Sequence, residues 1–396
     1  LPIEIMLVVM ASLVAMGILL HKPSKTLGIP SLLIFIGVGL VFGNGEFNFV
    51  YDNLALTSMV GSIALNVIVF VGGLNTKTDD IKVAYKEGGM LSTIGVVLTT
   101  SILAGMLYYI TSFDLLTCFL FAAVVSSTDA AAVFSILESK KLKLKHNTDT
   151  VLEFESATND PVALVMIMIL TGMLAQPENV VTFAGVSVEL VQQITVGLLV
   201  GASVGLLCVT LLKAIKLEEY GLIPVFILAC FLIATYGSEL LGGNILIASY
   251  VSGVIIGNKL QRGREVSKHF FNSVSWLAQA LMFIILGLQF FPDELAADAW
   301  YAILPALALI LIARPVAVFL TYLPFRQVET KKKLFISAIG LKGATPIVFA
   351  LIPAAAGIEG AEQMVHMVFF IVLISIIVQG SLLEPLANKL DLRMKS

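Results

Sequence analysis

Five ionisable side chains stand inside apolar runs of this chain. They are Asp129 in VVSSTDAAAVF, Glu155 and Asp160 in EFESATNDPVAL, Arg314 in ARPVAVFL and Lys342 in GLKGATPIVFALIP. At membrane depth each costs at least ~2.5–3.5 kcal/mol, so each needs a partner or a task. Ser156 and Asp160 are four residues apart and share a helix face, and Glu155 and Asn159 form a neighbouring pair. That face offers carboxylate, hydroxyl and amide oxygens, the hard ligands that a desolvated alkali cation needs. Glu155 and Arg314 make the natural remaining ion pair, which would cancel both charges without titrating. The plainer alternative for all five is a buried network that only locks helices together. Glu4, Glu153, Glu239 and Glu384 lie near span ends and read as interfacial.

The elements that must carry these residues follow from composition. Charged residues make up 13% of the chain and hydrophobic ones 58%, whereas soluble domains carry about 25% charged. This is the pattern of an all-α polytopic membrane protein. A span needs ~20 apolar helical residues, and cutting at charges and Gly/Pro clusters gives thirteen transmembrane helices. They run approximately 3–20, 31–43, 57–74, 89–110, 115–137, 150–174, 186–212, 221–240, 243–257, 269–291, 298–323, 334–356 and 362–386. The break at Gly242-Gly243-Asn244 is easily missed. The first run has no basic leader and no small-residue cleavage site, so it is expected to remain as a helix. The missing initiator Met suits a trimmed version of a longer protein.

Charge tests the count independently. With the N-terminus outside, one set of loops holds Lys22, Lys77, Lys140, Lys213, Lys259, Arg326, Lys389 and their basic neighbours, and the opposite loops hold no Lys or Arg. Such loops are cytoplasmic, so the C-terminus is expected inside a plasma or inner membrane. Only Arg314 and Lys342, of 24 basic residues, fall inside spans. Merging the eighth and ninth spans would put Lys259–Lys268 on the wrong side.

Spans five and twelve each carry a charge in a stretch that reads as broken. Gly340, Gly343 and Pro346 mark the second break, while Ser126, Ser127 and Thr128 suit the first because they can bond to freed backbone groups. Seven spans separate the two, so they run in opposite directions, as in an inverted-topology repeat with crossed broken helices. If they cross, Asp129 would face positive half-helix N-termini and Lys342 negative C-termini, making both structural charges rather than ion ligands.

Together, SSTDAAAVFSIL at 126–137, EFESATNDPVAL, ARPVAVFL and GLKGATPIVFALIP resemble, in order and spacing, the cation:proton antiporter superfamily, in its first, NhaP-type branch, including the cell-volume-regulation potassium/proton exchangers. The resemblance implies an NhaA-like antiporter fold and a homodimer. Its dimerisation part would lie near spans 1–3 and 7–10, and its moving core near residues 89–174 and 298–386. By residue, it implies that Asp160 alternates between a monovalent cation and a proton, with Ser156 and the Thr128 region as co-ligands and Asn159 as the neutral half of the pair. It also implies that Glu155 bonds Arg314. Two departures stand out: Val71 replaces an acidic residue that many relatives carry, and Lys342 replaces an Arg.

One free carboxylate can be neutralised by a proton or a cation, but not both at once, so exchange should be electroneutral, 1:1, with the core rocking against the dimer part. Potassium is the favoured cation, with sodium also carried; a sodium-selective exchanger is the alternative. An intramembrane aspartyl protease using Asp129 and Asp160 lacks its motif, a channel lacks a filter loop, and a sodium-coupled solute symporter is a further competitor. No enzyme activity, cofactor, nucleotide motif, metal cluster or nucleic-acid partner is expected. Anionic lipid should meet the basic loops. Cys118, Cys208 and Cys230 read as buried hydrophobes, and His146 or His269 is a candidate pH sensor. Volume-regulating relatives continue into a cytosolic regulatory domain beyond the point where this chain stops.

Overall fold

The computed structural model describes residues 3–27, 31–44, 51–129, 133, 142–175, 183–215 and 219–394. Residues 130–132 and 134–137 of the fifth expected span lie outside them, as do Glu46, Lys140, Lys141, Glu178, Lys216 and Lys395. Among the described residues the fold is all-helical, as a bilayer requires of backbone that must satisfy its own polar groups. Eight of these helices are long and apolar enough to cross a membrane, and shorter apolar helices accompany them.

The elements are α1 (Ile3–Leu27), α2 (Ser31–Phe42), α3 (Leu54–Asn75), α4 (Thr78–Met90), α5 (Val96–Ile110), α6 (Leu115–Val124), α7 (Thr148–Ala175) and α8 (Phe183–Ile215). They continue as α9 (Leu222–Leu240), α10 (Ile245–Lys259), α11 (Arg264–Gln289), α12 (Pro292–Ala308), α13 (Arg314–Thr321), α14 (Thr330–Ala338), α15 (Ala344–Ala355) and α16 (Ala361–Lys389). A π turn at Leu91–Gly95 joins α4 to α5, and another at Leu309–Ala313 joins α12 to α13.

Helix starts follow from side-chain caps. Asn53 Oδ1 accepts from Leu56 N, Asp114 Oδ2 from Leu116 N, and Asn244 Oδ1 from Leu246 N and Ile247 N. The Gly242-Gly243-Asn244 break separates α9 from α10, and Gly242 takes the left-handed backbone (φ 76°) that turns the chain. The fourth span starts eleven residues before its expected start at 89, at Thr78. Its polar first turn is stable because Asp79 and Asp80 complement the helix dipole there. Farther along, Glu87 Oε2 accepts from Tyr322 Oη and sits 2.8 Å from Lys332 Nζ.

Two kinds of packing divide the helices. In one group backbones touch where glycine removes the side chain, the small-residue packing that apolar solvent favours. A Cβ on Gly73 would fall on the Tyr250 carbonyl, one on Gly253 on that of Phe70, and one on Gly257 on that of Leu74, which zips α3 to α10. Gly39 and Gly287 zip α2 to α11 in the same way, and Gly197 and Gly201 press α8 onto α10. The helix α15 meets α3 differently, through the Val348 side chain over Gly61.

A second apolar cluster lies at the end of the molecule that carries Leu142, Leu144, Tyr322, Phe335, Leu383 and Leu392. There the chain's last described residues return to the loop before α7. Leu144 and Arg393 form an isolated antiparallel bridge, Lys145 N donates to Leu392 O, and Met394 N donates to Lys143 O. Lys145 Nζ adds an ion pair to Asp391 at 3.0 Å.

Adjacent glycines provide a test. Gly73→Ala should destabilise by about 1–3 kcal/mol through overpacking, whereas Gly72→Ala, where a Cβ meets nothing within 4 Å, should be neutral or stabilise by up to ~1 kcal/mol. Thermal unfolding of the two variants in detergent measures the contrast, and equal melting temperatures would remove the seam.

Candidate functional site

The helix α6 stops at Val124, and residues 125–129 are unwound; α14 stops at Ala338, and residues 339–343 are unwound before α15 starts. Pro346, counted above among the breakers, is the third residue of α15, a first-turn position where no intrahelical donor is lost. The two unwound stretches meet backbone to backbone, with Asp129 N donating to Leu341 O at 2.9 Å. Such ends would otherwise leave carbonyls and amides unbonded in apolar surroundings.

Charged side chains complete the crossing. Lys342, 2% exposed, donates from Nζ to the carbonyls of Ser126 (3.1 Å) and Ser127 (2.7 Å), just past the C-terminal end of α6. Its backbone N donates to Ser375 Oγ, which donates to Gln379 Oε1, while Gln379 Nε2 bonds Ala338 O at the end of α14. The Asp129 carboxylate lies against Gly343, whose Cβ position it fills, at the N-terminal end of α15 where the helix dipole is positive. Only glycine fits there.

The helix α7 brings the remaining residues to this crossing. Thr128 Oγ1 is 2.8 Å from Ser156 Oγ and accepts from Asn159 Nδ2 at 2.6 Å. Thr345 Oγ1, on the first turn of α15, donates to Asp160 Oδ2 at 3.4 Å. One turn away, Arg314 Nη1 sits 2.6 Å from Glu155 Oε1, both fully buried. The π turn before α13 sets the register that delivers Arg314, and Gly340 leaves room for its guanidinium.

Among the described residues at the crossing, Asp160 Oδ1 and Asn159 Oδ1 are buried with no hydrogen-bond partner, and the buried Ser127 hydroxyl lies beside the same Asp160 carboxylate. A buried polar atom without a partner is costly, and oxygens are the donors a hard cation takes. Among the described residues no His, Cys, Asp and Glu group could hold a transition metal. Val71 lies elsewhere, in an apolar cluster with Phe70, Leu74 and Phe231. His146 is 3.5 Å from Glu329, and His269 is exposed. Sequence reasoning passed over Thr345, Ser375 and Gln379. The signal for the last two was available, because polar residues four apart on the apolar helix α16 share a face.

Comparison with known proteins follows the same lines. The family described as sodium/hydrogen exchanger, transmembrane, matches residues 9–389. The chain is 35% identical over 379 residues to the K(+)/H(+) antiporter NhaP2 of Shewanella baltica, covering 96% of this chain and 65% of that one. It is 28% identical to the Na(+)/H(+) antiporter NhaH of Halobacillus aidingensis, with 96% of each covered. In structure it superposes on the sodium proton antiporter MjNhaP1 of Methanocaldococcus jannaschii with a TM-score of 0.84 at 19% identity, over 98% of this chain and 99% of the other. That likeness shows the antiporter fold. The chain spans 65–66% of the length of the first curated relatives it matches.

The buried ion pair yields a double-mutant test. Arg314→Gln alone strands the Glu155 charge and should cost about 3–5 kcal/mol, whereas adding Glu155→Gln should return much of it. Unfolding of both variants in detergent checks this, and additive losses would mean the two charges do not depend on each other.

Proposed function

The chain belongs to the transmembrane sodium/hydrogen exchanger family, a family of transporters rather than enzymes, and on that premise we propose that it exchanges a monovalent cation for a proton across a membrane. The observation that carries this reading is the pair of buried oxygens without a hydrogen-bond partner at the crossing, Asp160 Oδ1 and Asn159 Oδ1, with the Ser127 hydroxyl beside the same carboxylate. A cation held there would take Asp160 as its charge, with Asn159, Ser127 and the hydroxyls of Ser156, Thr128 and Thr345 in reach to orient or complete the shell.

The charge count supports electroneutral exchange. Glu155 is engaged by Arg314, and Asp129 lies at the head of α15, so Asp160 is left to bind either ion. Asn159 is neutral, and Lys342 spends its charge on the carbonyls of Ser126 and Ser127. Each crossing of the loaded site then carries no net charge, whichever ion occupies it.

The motion we propose is alternating access by a core that includes α5–α7 and α12–α16, moving against the glycine-zipped helices α2, α3, α8, α10 and α11. Backbone-to-backbone seams lie within that second group, and the α3–α15 contact between the groups is made by side chains, which supports the division. A homodimer joined through the zipped part, thirteen spans, an external N-terminus and a cytoplasmic C-terminus complete the proposal. Potassium is the favoured cation, supported by the potassium exchanger among the relatives and by apolar Val71. Sodium is the second reading, supported by the halobacillus relative and the structural neighbour.

Proteoliposomes with an internal pH dye should show proton movement on addition of potassium, more weakly with sodium, at a rate unchanged when the membrane potential is clamped. Asp160→Asn should abolish it by at least about 100-fold, the scale of losing a charged ligand in a desolvated site. Cation-driven proton flux that persists in this variant would overturn the assignment, and potential-dependent flux would overturn the 1:1 stoichiometry.

A further inference from the structure

A surface cavity lies away from the crossing, on the outer side of α13. It is an open groove of about 790 Å³, within the size range of sites that hold an organic ligand. Val316, Phe319, Leu320 and Leu323 form its wall, an exposed apolar stripe at the helical spacing of three and four. Arg326 and Lys333 stand at one end. Among the described residues no carboxylate lines it, and neither base pairs with an acid. The nearby acid, Glu87, is already taken by Lys332 and Tyr322. Lys333 Nζ is held 5.7 Å from the Tyr322 ring centroid, which keeps the ammonium at the groove rather than in the loop.

This is the shape of an amphiphile in negative: an apolar trough that ends, just past the C-terminal end of α13, in two cations with no acid partner among the described residues. We propose that the groove binds one anionic phospholipid, with an acyl chain along the α13 stripe and the phosphate between Arg326 and Lys333. Charge complementarity selects the occupant. A zwitterionic lipid would bring its own cation to the two bases, and an apolar protein face would leave both bases unanswered. The site also has a mechanical address, since Pro315 in its wall follows Arg314, the partner of Glu155. A bound lipid therefore braces the helix that presents that guanidinium. The inference needs only that the chain spans a membrane and holds whichever ion is carried.

Native mass spectrometry of the delipidated protein, titrated with phosphatidylglycerol or phosphatidylcholine, tests it without a transport assay. Phosphatidylglycerol should be retained at least about tenfold better, and Arg326→Gln/Lys333→Gln should erase that preference, as expected for removing two surface bases. Val316→Trp, which fills the trough at an exposed position, should lower retention of both lipids. Lys331→Gln, a base on the same helix but outside the groove, should change nothing. Equal retention of the two lipids overturns the proposal. So does a Lys331→Gln loss as large as that of the double variant, which would mean a diffuse basic surface. A shift from dimer to monomer in Val316→Trp would also overturn it, since the groove would then be covered by a second copy.

Discussion

Every feature of the crossing descends from one constraint: α6 ends and α15 begins beside unwound backbone where there is no water to bond the ends they expose. A continuous helix satisfies its own backbone, and a broken one leaves carbonyls on one side and amides on the other. The protein answers with a lysine over the carbonyls that follow α6 and a carboxylate at the amide end of α15. These two charges fix much else. Gly343 must lack a side chain because Asp129 occupies its place, and Ser375 and Gln379 on α16 are polar because they hold the backbone of the second interruption. The interruption in turn lets Thr128 and Thr345 reach the face of α7 that carries Ser156, Asn159 and Asp160.

How far this was legible in the sequence depends on which physical signal each part leaves. Apolar spans and the Gly242-Gly243-Asn244 break are legible because lipid tolerates few alternatives to an uninterrupted apolar helix. The intramembrane ions are legible for the same reason, as so few charges leave few ways of pairing them, and Glu155 and Arg314 do lie together. The early start of α4 is hidden because its first turn is polar and because Glu87 finds its partners, Lys332 and Tyr322, some 240 residues away in sequence. Thr345 is hidden because a hydroxyl in a run of small residues reads as a helix-capping or back-bonding group; only the crossing turns it toward Asp160. The glycine seams are hidden too. Gly72 and Gly73 are indistinguishable by composition, yet one faces open space and the other a carbonyl.

The arrangement of charge and the arrangement of packing support each other. Where glycine brings backbones together the contact has no side chains to repack, so it suits parts that stay in register. Where side chains such as Val348 mediate contact, alternative rotamers and registers exist. The intramembrane charges cluster at the crossing, while the zipped helices bury uncharged polar residues such as Asn66, Ser249 and Ser252. Placing charge where helices are unwound and glycine where they are not separates the problem of holding an ion from that of holding a shape.

The return of residues 391–394 to the loop before α7 changes how the molecule would carry a load. Leu144 and Arg393 are far apart in sequence but bridged in space, and the Lys145–Asp391 pair and two backbone bonds reinforce the clasp. Tension applied near the carboxyl end is therefore not borne by α16 alone. It passes through the clasp into Lys143–Lys145, and from there to the first turn of α7, two turns from Glu155. The chain from 144 to 393 is in this sense a closed mechanical circuit, fastened by the exposed Asp391 and Arg393 over the buried Leu144 and Leu392.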